Sequence, residues 1–91
     1  MNHFVVTLLS AKPCELNRFL MHFSNRKMQA EEGTFRWSSP SLTVLDCSLL
    51  LSTLLDNDEE YQIEAYLSIA DYQIQVNQQN INELIKILCV S

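Results

Sequence analysis

Hydrophobic spacing along the chain switches between strand-like and helix-like periods, and the switches mark its elements. His3 to Leu9 is rich in Phe, Val and Leu and lacks helical punctuation, which predicts a buried strand. Ser10 to Pro13 reads as a helix start, because proline is tolerated in a first helical turn. From Cys14 the apolar positions fall at Leu16, Phe19, Leu20 and Phe23, one stripe against a core. This helix is expected to run to Met28 or Gln29, with Gly33 as its exit or a turn.

Thr34 to Trp37 reads as a short strand, with Phe35 and Trp37 on one side and Arg36 on the other. Ser38-Ser39-Pro40-Ser41 is punctuation, with Ser39 placed to cap a helix and Pro40 at its first position. Segment 42–55 is leucine-rich and apolar on nearly every face, which predicts a buried helix. Its β-branched Thr43, Val44 and Thr53 keep a long strand as the alternative.

Asp56 to Glu60 is a solvated loop. Tyr61 to Ile69 alternates, with Ile63, Ala65, Leu67 and Ile69 on one side, as a half-buried strand does. Ala70-Asp71 breaks the phase, and Tyr72 to Val76 alternates again, so the two runs pair as a hairpin. Asn80 followed by Glu83 is a capping signature, and Ile81, Leu84, Ile85 and Leu88 form the buried stripe of a final helix. The order β-α-β-α-β-β-α predicts a single α+β domain over residues 1–91. Its small sheet is mixed or antiparallel, with helices packed mainly on one face.

Composition narrows this picture. At 91 residues, 47% hydrophobic and 19% charged, the chain folds as one core and is not disordered. Such a domain has a thin stability margin, commonly widened by disulfides, metal or association. Cys14, Cys47 and Cys89 are odd in number and widely spaced, so they are read as small hydrophobes in a reducing compartment. Association remains, and it points to a homodimer or a partnered subunit. The apolar run Phe4 to Leu9 lacks the basic start and length of a secretory signal. Segment 42–55 is too short for a membrane span and carries Asp46, so a cytoplasmic chain without membrane attachment is expected.

Most site chemistries find no residues to use. A phosphate-binding loop needs several glycines, and the chain has one. There is no C-x-x-C pair and no H-E-x-x-H helix. Asp56, Asp58 and Glu60 resemble the start of a calcium loop, but Tyr61 and Leu67 occupy positions where that loop needs glycine and glutamate. Cys14 and His22 stand about 12 Å apart along the predicted helix, beyond hydrogen-bond reach. Neither an enzyme, a cofactor, a metal site nor a small-molecule substrate is expected.

Charge is unevenly spread. Residues 1–40 carry a balance of +2 and residues 41–91 a balance of −7, together the net −5. On the first helix Arg18, His22 and Arg26 are spaced by four, with Lys27 beside them, forming a basic face. Asp58, Glu59 and Glu60 form an acidic counterpart, which could meet that face across a two-fold axis. Fourteen leucines are hard to bury in one small core, which places Leu50 and Leu54 at an apolar contact. These residues predict a non-enzymatic protein–protein interaction module: a small adaptor, regulatory subunit or inhibitor that self-associates. The alternatives are a nucleic-acid-directed role, by the basic helix face or by acidic mimicry, and a small-ligand or metal sensor using the cysteines and histidines. A net acidic chain makes nucleic acid the weaker partner.

Overall fold

The computed structural model describes residues 4–23, 28–57, 59–69 and 71–90. The elements follow the expected order: β1 (Val5–Ser10), α1 (Pro13–Leu20), β2 (Arg36–Ser38), α2 (Val44–Asp56), β3 (Ile63–Ile69), β4 (Tyr72–Val76) and α3 (Ile81–Val90). The strands form one antiparallel sheet in the order β2-β1-β3-β4, so the fold is α+β. Of the two readings of segment 42–55, the helix is the one realised.

β1 lies inside the sheet, with Leu8 opposite Trp37 on one side and Ala65 on the other. Successive side chains point to opposite faces. Val6, Leu8, Trp37, Ala65, Leu67 and Val76 therefore share one face, where all are buried beneath the helices. The other face presents Arg36, Ser38, Glu64, Gln73 and Gln75 to solvent around the half-buried Val5, Leu9 and Tyr66. Leu16, Phe19 and Leu20 from α1, Leu50 and Leu51 from α2, and Leu88 from α3 complete the core.

Segment 39–42 departs from the expected helix start. Val6 N–H donates to Ser39 Oγ at 2.9 Å, and Ser39 N–H donates to the Val6 carbonyl at 2.8 Å. Phe4 and Leu42 then exchange backbone hydrogen bonds of 2.9 and 2.8 Å. The chain thus follows β1 past β2 and is not free to turn into a helix at Pro40. The start moves to Val44, where Thr43 Oγ1 accepts the Asp46 N–H at 3.2 Å.

The first helix is shorter than its apolar stripe suggests. It ends at Leu20, and the His22 and Phe23 amides bond three residues back, to Phe19 and Leu20. That tighter pattern is a common helix ending. The second strand is also shifted: Trp37 is buried within it, whereas Phe35 precedes it and is 58% exposed. β3 and β4 pair as expected, with Ile69 opposite Tyr72. Gly33, at φ +85°, makes the turn before β2. Asn80 does not close a capping box with Glu83; its carbonyl oxygen Oδ1 accepts the Asn77 N–H at 2.9 Å, and its Nδ2 donates to the Gln75 carbonyl.

Candidate protein-interaction site

The residues proposed for an interface separate into three groups. Leu50 and Leu54 lie in the core of the single chain, so they are not available as contacts. Helix geometry explains the displacement: Cys47, Leu50, Leu51 and Leu54 form the stripe that meets the sheet, and 100° per residue places Leu45 and Leu49 on the opposite side. Leu45 is 77% exposed and Leu49 56%. They stand one turn apart and form the outward ridge of α2. In segment 42–55 the large apolar side chains left exposed are thus Leu45 and Leu49, not Leu50 and Leu54.

Arg18 and His22 come together around Tyr61, whose ring is buried. His22 Nε2 and Tyr61 Oη are 3.0 Å apart, and the Arg18 guanidinium carbon is 6.0 Å from the Tyr61 ring centroid. Phe19 packs edge-on to Tyr61 and to Phe23, each with centroids 5.6 Å apart. Glu15 Oε2 accepts the Gln62 N–H at 3.1 Å. Helix α1 is thereby tied to the segment that leads into β3. Glu59 and Glu60 are exposed just before Tyr61, on the same chain as Arg18 and His22. Because α1 ends at Leu20, Arg18 stands on the helix and His22 in the turn that follows it. Arg26, Lys27 and Asp58 lie outside the described residues.

Two titrating groups respond to their surroundings. Burial pushes the Cys47 thiol up to about 11 from an ordinary 9.0. Cys14 and Cys89 are exposed, and the three thiols are free. Tyr66 donates to Glu64 Oε2 at 3.1 Å, and this bond raises the phenol above its ordinary value, with smaller contributions from burial and the carboxylate charge. Among the described residues no group of three His, Cys, Asp or Glu side chains is arranged to hold a metal ion.

Two concave regions are open to solvent and mix polar with apolar lining. One of about 420 Å³ lies between α1 and the following loop, lined by Cys14, Arg18 and Glu32 among others. Another of about 360 Å³ sits on the open sheet face between Thr7, Leu9, Arg36, Tyr66 and Gln73. No helix among the described residues is long and apolar enough to cross a membrane. Comparison of the chain with protein-family models, with curated proteins and with solved structures gives no match.

Proposed function

We propose that this chain is a non-enzymatic protein–protein interaction module, a small cytoplasmic adaptor, regulatory subunit or inhibitor, that takes an apolar helix or groove of a protein partner onto the outer ridge of α2. The exposure of Leu45 and Leu49, one turn apart on the face opposite the core, carries this reading. The charged residues of α2 are Asp46 in its first turn and Asp56 at its last position. Around Leu45 and Leu49 the outward face is apolar, and its charge comes at the far end of the helix, at the exposed Asp56, which suits an apolar surface as the main contact. The free thiols fit a reducing compartment.

Burying the exposed parts of both leucines removes slightly more than one whole leucine side chain from water. That contributes about 2–4 kcal/mol, or roughly thirty- to several-hundred-fold in Kd. Partners recovered with the wild-type chain are identified by mass spectrometry, purified and titrated by calorimetry against wild type and a Leu45→Asp/Leu49→Asp variant. The variant is expected to fold normally, lose binding by at least that factor, and lose the negative heat-capacity change of apolar burial. Equal affinity for both proteins overturns the assignment.

A further inference from the structure

The sheet ends on β4, whose sequence YQIQV contains no charge, proline or glycine. Exposed edge strands ordinarily carry such residues, or are very short, because an unpaired edge is a template for another strand. The opposite edge follows that rule: β2 has three residues and includes Arg36.

The ladder determines which backbone groups of β4 face outward. Val6 turns its N–H and carbonyl toward Ser39, so its neighbour Thr7 faces β3 and pairs with Tyr66. Leu67, next to Tyr66, then faces β4 and pairs with Ile74. Gln73 and Gln75, on either side of Ile74, accordingly point their backbone groups away from the sheet. The Gln75 carbonyl already accepts Asn80 Nδ2 at 2.8 Å. Gln73 keeps both its N–H and its carbonyl toward solvent, beside a Tyr72 that is 74% exposed.

We propose that β4 pairs antiparallel with β4 of a second copy, about a two-fold axis through Gln73, joining two sheets into one. Such an axis requires a residue that can both donate to and accept from its own copy. Gln73 meets that requirement, and Asn80 obstructs the equivalent pairing at Gln75. In this register Tyr72 lies across from Ile74 of the second copy on the helix-covered side, an aromatic against a β-branched residue. The Gln73 side chains meet on the open face. β4 itself carries no charge; the charges nearest the seam are one Asp71 from each copy, which fall across from Gln75 at its two opposite ends. A seam of this length is small beside the ~1,200–2,000 Å² of a stable interface, so the dimer is a weak, concentration-dependent one. The inference uses no residue of the α2 ridge and is independent of the function proposed for it.

Sedimentation velocity of the reduced full chain, from low micromolar to several hundred micromolar and at low and high salt, tests the pairing. A concentration-dependent dimer that is insensitive to salt is expected. Gln73→Pro removes an outward N–H without touching the ladder to β3, as edge positions permit. Tyr72→Lys removes the apolar cross-strand pair and supplies the charge that edges usually carry. Each is expected to weaken association at least about tenfold while leaving the circular dichroism unchanged. Should Gln73→Pro fail to fold, Tyr72→Lys decides alone. A wild-type chain that stays monomeric throughout the range overturns the proposal, as does a dimer that persists in the folded variants. A dimer lost at high salt overturns it in favour of charge pairing. One lost only in Leu45→Asp/Leu49→Asp overturns it in favour of the α2 ridge.

Discussion

Truncating Leu49 and Leu50 to alanine, one at a time, tests the orientation of α2 on which the interaction site depends. The residues are adjacent, yet Leu50 is fully buried and Leu49 is 56% exposed. Removing a fully buried leucine forfeits its transfer energy and leaves a cavity, at about 2.7–5 kcal/mol. A domain of this length holds about 5–14 kcal/mol in total, so Leu50→Ala removes a large share. Leu49→Ala loses less than half of the transfer term and leaves no cavity, which limits its cost to about 1 kcal/mol. At about 4–8 °C per kcal/mol, the melting temperature should fall by roughly 10–40 °C for Leu50→Ala and by less than about 8 °C for Leu49→Ala. Thermal unfolding followed by circular dichroism, at a concentration where the chain is monomeric, gives both values. Equal losses, or a larger loss for Leu49→Ala, would mean that α2 is rotated about its axis and that the exposed ridge is misassigned.

Ser39→Ala leaves the Val6 N–H without its acceptor inside the sheet and should cost about 1–3 kcal/mol in a urea titration; a neutral result would refute the role given to that bond. The Cys47 thiol is raised to about 11 in the folded chain from an ordinary 9.0, so its contribution is complete below pH 9 and is lost as pH rises toward 11. The urea midpoint should accordingly fall less steeply over that window in Cys47→Ala than in wild type. A thiol reagent should label Cys14 and Cys89 rapidly and Cys47 only on unfolding; rapid labelling of all three in folded protein would contradict its burial. Glu64→Gln should lower the ionisation midpoint of Tyr66 in an ultraviolet pH titration, because the carboxylate that accepts its hydroxyl is removed.

The hairpin of β3 and β4 was legible because Ile63, Ala65, Leu67 and Ile69 alternate cleanly with polar neighbours, and burial follows that alternation. The final helix was legible for the same kind of reason, through Ile81, Leu84 and Leu88. Helix α1 was read too long because Phe23 continues the stripe of Leu16, Phe19 and Leu20. Periodicity records which positions face the core, and Phe23 still packs against Phe19 after the helix has ended. In α2 the difficulty was lack of contrast. Leu49, Leu50 and Leu51 are identical side chains, so no local feature distinguishes the one that faces outward. The i, i+4 spacing of Leu45 and Leu49 was the available signal, and it acquires meaning only once the opposite stripe is known to meet the sheet. The role of Ser39 was hidden because a serine before proline looks like a helix cap, whereas its hydroxyl serves a strand more than thirty positions earlier.

The position of β1 inside the sheet has a consequence for biosynthesis. Val6 leaves the ribosome about sixty residues ahead of its partner Leu67. At about 5–20 residues per second, β1 waits roughly 3–12 s for the strand that covers its second edge. During that interval Phe4, Val6 and Leu8 have no completed sheet to enter. An apolar strand left uncovered for that time is the kind of segment a holding chaperone recognises, and slowing translation ahead of β3 would lengthen the exposure.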